Sequence, residues 1–411
     1  MFSVSVLGYG GRGNVYTHNF HSCGIKIAAV CDPDPERLEI AKQYSGNLYR
    51  DEDAFFGAGK LSDLLVISTM DRLHYDQVMK ALDLGYDILL EKPIATGEQQ
   101  CIEIEKKAKE KNAKVIVCHV LRYTPFFKQI KSMLESGKFG RMITMELTES
   151  IGYYHFAHSY VRGNWRNKET SSPVILAKSC HDLDIINWLV DSACTHISSF
   201  GGLNLFRKEN APCGSAPYCR DCECRDECVF DCFKLYTNQE YERIAGLARH
   251  GHLGKTEEEI TQALCHDGET YGRCVYHCDN DVFDNQIVNM QFANGVSAQF
   301  MLTAFSERID RKIRICCEKG EIYGNLEGKA VHSILFGEEQ KTVFLRQADE
   351  EYASHGGGDM GIVRGVIDHY VSGVPCASEV TQSVASHLMC FAAEKSANDN
   401  GNVQILDISA E

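Results

Sequence analysis

The chain has no apolar run approaching the roughly 20 residues a membrane-spanning helix needs, so no helical anchor is expected. Basic charge is also scarce: 42 Lys and Arg against 57 Asp and Glu leave a net charge of −15. Nucleic acid and acidic membranes both attract basic patches, and neither is expected as a partner. No leader peptide is read, because Phe2-Ser3-Val4-Ser5-Val6-Leu7 runs straight into a loop of functional character. Internal repeats and low-complexity tails are missing as well. Cysteine is the opposite case. Nineteen cysteines in 411 residues, with no leader, suggest thiols and a metal site rather than the disulfides of a small secreted domain. The expected location is the cytoplasm, and the length suggests two or three domains.

The apolar run 2–8 reads as a strand, and Gly8-Tyr9-Gly10-Gly11-Arg12-Gly13 follows before a helical pattern to about Ser22. This is G-x-G-x-x-G between strand and helix. Its glycines permit a tight turn, backbone approach to a pyrophosphate and close helix–strand packing. A second strand, Ile25 to Val30, leads to Asp32, about 20 residues on, where a carboxylate would bind the adenosine ribose. Asp32 favours NAD by repelling a 2′-phosphate, while Arg37 softens the preference and leaves NADP open. Strand and helix patterns then alternate, with strands at 64–69, Ile88-Leu89-Leu90 and 115–119. The expectation is a parallel, doubly wound sheet. Its carboxyl edge would carry Thr69, His74 and the segment Glu91-Lys92-Pro93.

Gly8-x-Gly10-x-x-Gly13, Asp32 and Glu91-Lys92-Pro93 together resemble the glucose–fructose oxidoreductase and inositol dehydrogenase (Gfo/Idh/MocA) family. The resemblance implies an α/β fold: a Rossmann-type dinucleotide-binding domain over 1–122, then an α/β domain over 123–411 with a large, mostly antiparallel sheet. It implies NAD(P) as cofactor; the expected contacts are Gly8, Gly10, Gly11, Arg12, Gly13 and Asp32 of the fingerprint, Thr69 and His74 from their place at the end of the third strand, and Glu91 and Lys92. It also implies that Lys92 lies beside nicotinamide and substrate, and that a carbohydrate-like molecule is the substrate.

Further along, Ile175 to Leu189 reads as one helix with Lys178, His181 and Asp182 on the stripe that carries Ile185, Trp188 and Leu189. Ionisable groups on a buried stripe must pair or line a polar cavity. An ion pair between Lys178 and Asp182 is the plain reading. In the family the resemblance points to, a histidine on this helix sits beside the nicotinamide. His181 matches it, with Asp184 three residues on. The family's aspartate four residues before that histidine is absent: Ala177 stands there and Lys178 follows. Lys92, His181 and Lys178 are therefore the expected catalytic groups. The connection from Tyr153 to Arg166 interleaves aromatic, histidine and arginine residues, a composition suited to a sugar-binding lid or to a loop packed on its own domain. His155, His158, Trp165 and Arg166, with Lys178 and His181, are the substrate candidates.

A cysteine-rich insertion spans about 207–284. Cys219-x-x-Cys222, with Cys228 and the distant Cys274, is the expected metal set, holding structural zinc or an iron–sulfur cluster if these are not simply reduced thiols. Beyond it, Ala293-Asn294-Gly295 sits between two alternating runs as a hairpin turn, and later strands complete a sheet with a face free to pair in a homo-oligomer. His355-Gly356-Gly357-Gly358-Asp359 precedes a helix and could cap it or touch substrate. The expected function is NAD-dependent hydride transfer to or from a sugar, cyclitol or glycoside. Its rivals are an NAD-retaining glycosidase that oxidises transiently and eliminates, and a non-catalytic NAD sensor.

Overall fold

Short β-branched runs without polar alternation are buried on both faces, which requires a sheet covered by helices on both sides. The computed structural model describes residues 2–238, 253–254, 256–345 and 354–406. In it β1 (Ser3–Leu7), β2 (Lys26–Cys31), β3 (Leu48–Tyr49), β4 (Leu64–Ile67), β5 (Asp87–Leu90) and β6 (Val115–Val117) form a parallel sheet in the order β3-β2-β1-β4-β5-β6. The chain direction across the sheet reverses between β1 and β4, and the crevice beyond their carboxyl ends is where such sheets bind ligands.

The second sheet has nine strands: β7 (Met142–Ser150), β8 (Cys194–Gly202), β9 (Asn285–Phe292), β10 (Ser297–Thr303), β11 (Asp310–Cys317), β12 (Gly320–Asn325), β13 (Ala330–Leu335), β14 (Lys341–Phe344) and β15 (Gln404–Ile405). Their order is β14-β13-β12-β11-β7-β10-β9-β8-β15. All pairs are antiparallel except β7 with β10. The expected Asn294-Gly295 turn joins β9 to β10, with Gly295 at φ +89°. Buried and exposed residues alternate along β9, β10 and β11, so one face packs on helices and the other lies open. On that open face Phe200, Ile287 and Met301 are cross-strand neighbours in register.

Two features depart from the sequence pattern. The Ser- and Gly-rich strand β8 carries no strong periodic signal and is held by its register with β9. The helix expected over 175–189 is broken into Val174–Ala177 and Cys180–Val190, with Lys178 and Ser179 at the junction. The chain also returns to its beginning. The helix Gly358–Ser372 places Ile362, Val363 and Val366 in one core with Val4, Tyr16 and Val120. The helix Val380–Asn398 packs Val384 against the first sheet and Met389 and Ala393 into the second core. Among the described residues, no helix is long and apolar enough to cross a membrane.

Candidate active site

The glycine loop closes tightly on its own sheet. Gly8 sits at φ +88°, and a Cβ there would lie 2.8 Å from the Ser68 carbonyl. A Cβ on Gly13 would lie 2.0 Å from the Gly8 oxygen, so the helix Gly11–Ser22 can only approach β1 with glycine at that point. In front of the loop the space is open: a Cβ on Gly11 would meet nothing within 4 Å, and one on Gly10 only Arg37 Nη1 at 3.8 Å. A pyrophosphate fits there, against a helix N-terminus whose first N–H groups lack intrahelical partners. At the end of β2, Asp32 is buried; its Oδ2 accepts from Tyr9 N at 2.6 Å and its Oδ1 from Asp34 N at 2.9 Å. These bonds fix the carboxylate beside the loop, and Arg37 Nη1 stands 3.6 Å from it. The donor set suits a dinucleotide.

Three residues expected to touch the cofactor also bond elements of the fold to one another. The Arg12 guanidinium donates to Glu91 Oε1 at 2.6 Å, to Asp359 Oδ1 and Oδ2 at 2.6 and 3.0 Å, and to the Tyr16 hydroxyl. It is a strut from the glycine loop to the strand end and to the start of the helix Gly358–Ser372. Glu91 also accepts from Tyr16 Oη at 2.7 Å and from Lys92 N at 3.0 Å. Burial would raise the Glu91 carboxyl, but Arg12 and Lys92 outweigh it and hold the group below the ordinary range. Asp359 is likewise pushed up by burial and pulled below the ordinary range by Arg12 and His355. His74 is fully buried, with Nδ1 2.7 Å from the Pro93 carbonyl and Nε2 3.3 Å from that of Thr69. It ties two loops together. Arg12, Glu91 and His74 thus each tie separate elements around the glycine loop together.

Lys92 reaches across to the second domain, where its Nζ donates to Ala177 O at 2.7 Å. His181, buried on the helix Cys180–Val190, carries an Nδ1 with no hydrogen-bond partner. Its ring lies between those of His119 (5.9 Å) and His355 (6.2 Å). Burial first, then the charge of Lys92, holds His181 well below the ordinary histidine range, so it is a neutral base at pH 7. The break before Cys180 separates Lys178 from the helix face, and the expected Lys178–Asp182 pair does not form. Lys178 Nζ stands 3.4 Å from Glu149 Oε1, while Asp182 takes a bidentate pair from Arg311 at 2.7 and 3.2 Å. Arg311 also reaches Glu149 at 2.5 Å. Burial lowers the Lys178 ammonium against the pull of Glu149. Glu149 is held at about 2, because Arg311 and Lys178 overcome the penalty of burial. Asp184, by contrast, is clamped by Arg122 at 2.6 and 2.7 Å.

The lid residues divide. Trp165 Nε1 lies 3.4 Å from Asp71 Oδ1, and Ser171 and Ser172 donate to Asp71 Oδ2 at 3.3 and 3.1 Å, docking this strap just beyond Thr69. His155 is half-buried near Tyr160. Two others turn away. His158 bonds the Tyr236 hydroxyl at 2.9 Å and stacks on Tyr271, and burial lowers it to about 4. Arg166 pairs with Asp279 at 2.9 and 3.2 Å. Both fasten the insertion to the lid. Sequence reasoning missed Asp71, Glu149, Arg311 and His119, whose partners are far away in the chain. The signal for His355 was present in its glycine-rich loop. Among the cysteines, Cys219, Cys222, Cys228 and Cys274 come together around one small cavity.

Comparison with known proteins agrees with this fold. The model of an oxidoreductase family, NAD-binding Rossmann fold, matches residues 2–119, and that family's C-terminal alpha/beta domain matches 131–405. A Bacillus subtilis (strain 168) protein named as an oxidoreductase, YteT, is 24% identical over 353 residues, covering 81% of this chain and 80% of the relative. An inositol 2-dehydrogenase/D-chiro-inositol 3-dehydrogenase from Lactiplantibacillus plantarum is 24% identical over 214 residues, 51% of this chain and 58% of the relative. The chain thus spans little more than half the length of that inositol dehydrogenase. Among solved structures, a levoglucosan dehydrogenase in complex with NADH and levoglucosan matches at TM-score 0.73 and 15% identity, over 98% of both chains. An Agrobacterium radiobacter oxidoreductase in complex with NAD+, L-tartaric acid and magnesium matches at TM-score 0.70 and 16% identity, again over 98% of both. At these identities the structural likeness speaks for the fold.

Proposed function

The chain belongs to the Gfo/Idh/MocA oxidoreductase family, and on that premise we propose that it is an NAD-dependent oxidoreductase acting on a hydroxyl-bearing carbon of a sugar, cyclitol or glycoside. The single observation that carries this reading is the nearness of Lys92, at the carboxyl edge of the first sheet, to a neutral His181 of the second domain. A bound nicotinamide would supply the hydride acceptor or donor. The protein's own residues handle the proton: the His181 imidazole accepts it from the substrate hydroxyl, and Lys92, fixed by Ala177 O, stabilises the oxygen as negative charge develops. Lys178 adds a second cation at the same wall. Trp165, docked on Asp71, and His155 are its substrate side. A sensor that only binds NAD has no use for a proton-handling pair, and NADH accumulation separates net oxidation from redox-assisted elimination. The test is NADH formation over a panel of sugars, inositols and aryl glycosides. Absence of turnover with every member, in protein that binds NAD, would contradict the reading.

The same reading extends to assembly and setting. The apolar row Phe200, Ile287 and Met301 on the open face of the second sheet supports self-association. Nineteen free cysteines suit the cytoplasm.

A further inference from the structure

His119 stands just beyond β6, fully buried, and neither of its ring nitrogens has a hydrogen-bond partner. Orphaned nitrogens at that depth are costly, and in a folded protein each calls for a reason. Burial first, then the charge of Arg122, holds the ring well below the ordinary histidine range, so it is neutral at pH 7. One nitrogen therefore carries a hydrogen and the other a lone pair. Nε2 lies 3.5 Å from Asp184 Oδ1, the carboxylate that Arg122 clamps from the same short segment. A carboxylate held by a guanidinium only accepts, so the hydrogen belongs on Nε2 and the lone pair on Nδ1. The ring of His387 is 5.5 Å away, but its own nitrogens are already bonded, to Ile94 N at 3.0 Å and Ser383 O at 2.9 Å. The other imidazole against His119 is His181, edge to face at 5.9 Å, with a buried Nδ1 that likewise has no partner.

The groups that act on His181 leave His119 as the acceptor for that Nδ1. Lys92 and Arg311 offer donors alone, and His355 Nδ1 is committed to Asp359 Oδ2 at 3.1 Å. Ala177, about one turn earlier, has no polar side chain, and its carbonyl accepts from Lys92. We propose that His119 is the positioning residue of the base: its Nδ1 accepts the Nδ1 hydrogen of His181, which leaves the His181 Nε2 lone pair to take the proton of the substrate hydroxyl. The inference rests on the oxidoreductase reading above and names the group that sets the tautomer of its base. The contact is long in the unliganded chain and tightens as the crevice fills, as catalytic hydrogen bonds do. The oxidation itself is the cofactor's; the hydroxyl proton goes to His181 Nε2, and the imidazolium keeps its Nδ1 hydrogen on His119. Asp184 holds His119 in turn. The segment 119–122 thus supplies both the orienting ring and the clamp on the carboxylate behind it, against His181 and Asp184 of one helix.

Nitrogen NMR of the full chain with isotope-labelled histidine reads the tautomer without substrate or turnover, the His181 signals being assigned by their loss in His181→Ala. With NAD bound, the unaltered chain should show His181 protonated at Nδ1 and bare at Nε2. His119→Phe keeps a flat ring without nitrogens, and there the His181 Nε2 signal should move toward the protonated form. Turnover on a substrate found with the sugar panel should fall about 10–100-fold, less than the 10²–10⁴ that loss of the base costs, with KM and NAD affinity within a few-fold. His119→Asn, whose amide oxygen can replace Nδ1 as acceptor, should recover the tautomer and most of the rate. His181 protonated at Nε2 in the unaltered chain overturns the proposal even if no variant folds. So does a His119→Phe chain whose His181 signals or turnover match the parent's, or a His119→Asn chain as slow as His119→Phe. If no member of the panel turns over, the oxidoreductase reading fails, and the tautomer still decides this one.

Discussion

The Lys92 ammonium, at the end of a strand of the first sheet, donates a 2.7 Å hydrogen bond to the carbonyl oxygen of Ala177 in the second domain. That bond fixes the cation beside His181 before substrate arrives, so little reorganisation is left for the reaction itself. Lys92→Met should lower turnover by about 10²–10⁴-fold while leaving NAD affinity within a few-fold. It should also move the acid limb of the pH–rate profile upward, because Lys92 is the strongest influence after burial that keeps His181 neutral. An unmoved acid limb, read from kcat/KM against pH, would remove Lys92 from the vicinity of the base.

The acid limb of the unaltered enzyme has a defined sign. His181 titrates well below the ordinary histidine range of about 6.5, so it remains a proton acceptor across neutral and mildly acidic pH. Below about pH 6.5 the unfolded chain takes up the proton that the folded site refuses, and His181 then disfavours folding as pH falls. A limb at or above pH 6.5 that is assigned to His181 would contradict this arrangement.

The Arg12 strut should show in stability. Arg12→Met leaves Glu91 and Asp359 buried without their cation, a change that costs about 3–5 kcal/mol in comparable cases. Both carboxyls are lowered in the fold. Their contribution is therefore complete above about pH 5 and is lost as pH falls through their folded values. Thermal melts should show a large deficit at pH 7 that narrows in acid. A deficit that stays constant with pH would mean that packing, not charge, is lost.

Much of this was legible because it is local in sequence. Gly8, Gly13 and Asp32 announce themselves by spacing, and the glycines stand where a side chain would collide with the backbone. Lys92 and His181 rest on short motifs. The Glu149–Lys178–Arg311–Asp182 cluster was hidden, since Arg311 reaches it from β11, on the far side of the insertion. The periodicity around 175–189 could not reveal that the helix breaks at Lys178 and Ser179, which redirects Lys178 to Glu149. His158 and Arg166 looked like sugar contacts by composition, yet a cysteine-rich segment with a small core of its own claims both. Arg12 and Glu91 sit within the two short motifs, yet their bonds to each other, to Tyr16 and to Asp359 depend on residues far apart in the chain.

Cofactor choice follows from Asp32. Binding titrations should show NAD several-fold tighter than NADP, and Asp32→Ala should narrow the gap, since Arg37 is already beside the site. Tighter binding of NADP by the unaltered protein would reverse the assignment.

Lys178→Met keeps the packing of the stem and removes the charge. If Lys178 serves the reacting hydroxyl, turnover falls by about 10²-fold or more with NAD affinity unchanged, whereas a lysine that only balances Glu149 would leave turnover near that of the parent. Steep loss is expected, because the Lys178 charge lies close enough to Lys92 to act on the same oxygen. Arg311 still satisfies Glu149 in the variant, so the loss would not come from a stranded carboxylate. Turnover within a few-fold of the parent, with a shifted melting temperature, would return the proton work to Lys92 and His181 alone.

The central claim is net hydride transfer assisted by His181, and absorbance at the reduced nicotinamide tests it most directly. With excess NAD and a panel of sugars, inositols and aryl glycosides, at least one substrate should give NADH in step with its own oxidation. His181→Ala should slow that reaction by about 10²–10⁴-fold while binding NAD as before. Substrate consumed without NADH accumulating, or a His181→Ala variant as fast as the parent, would contradict the account.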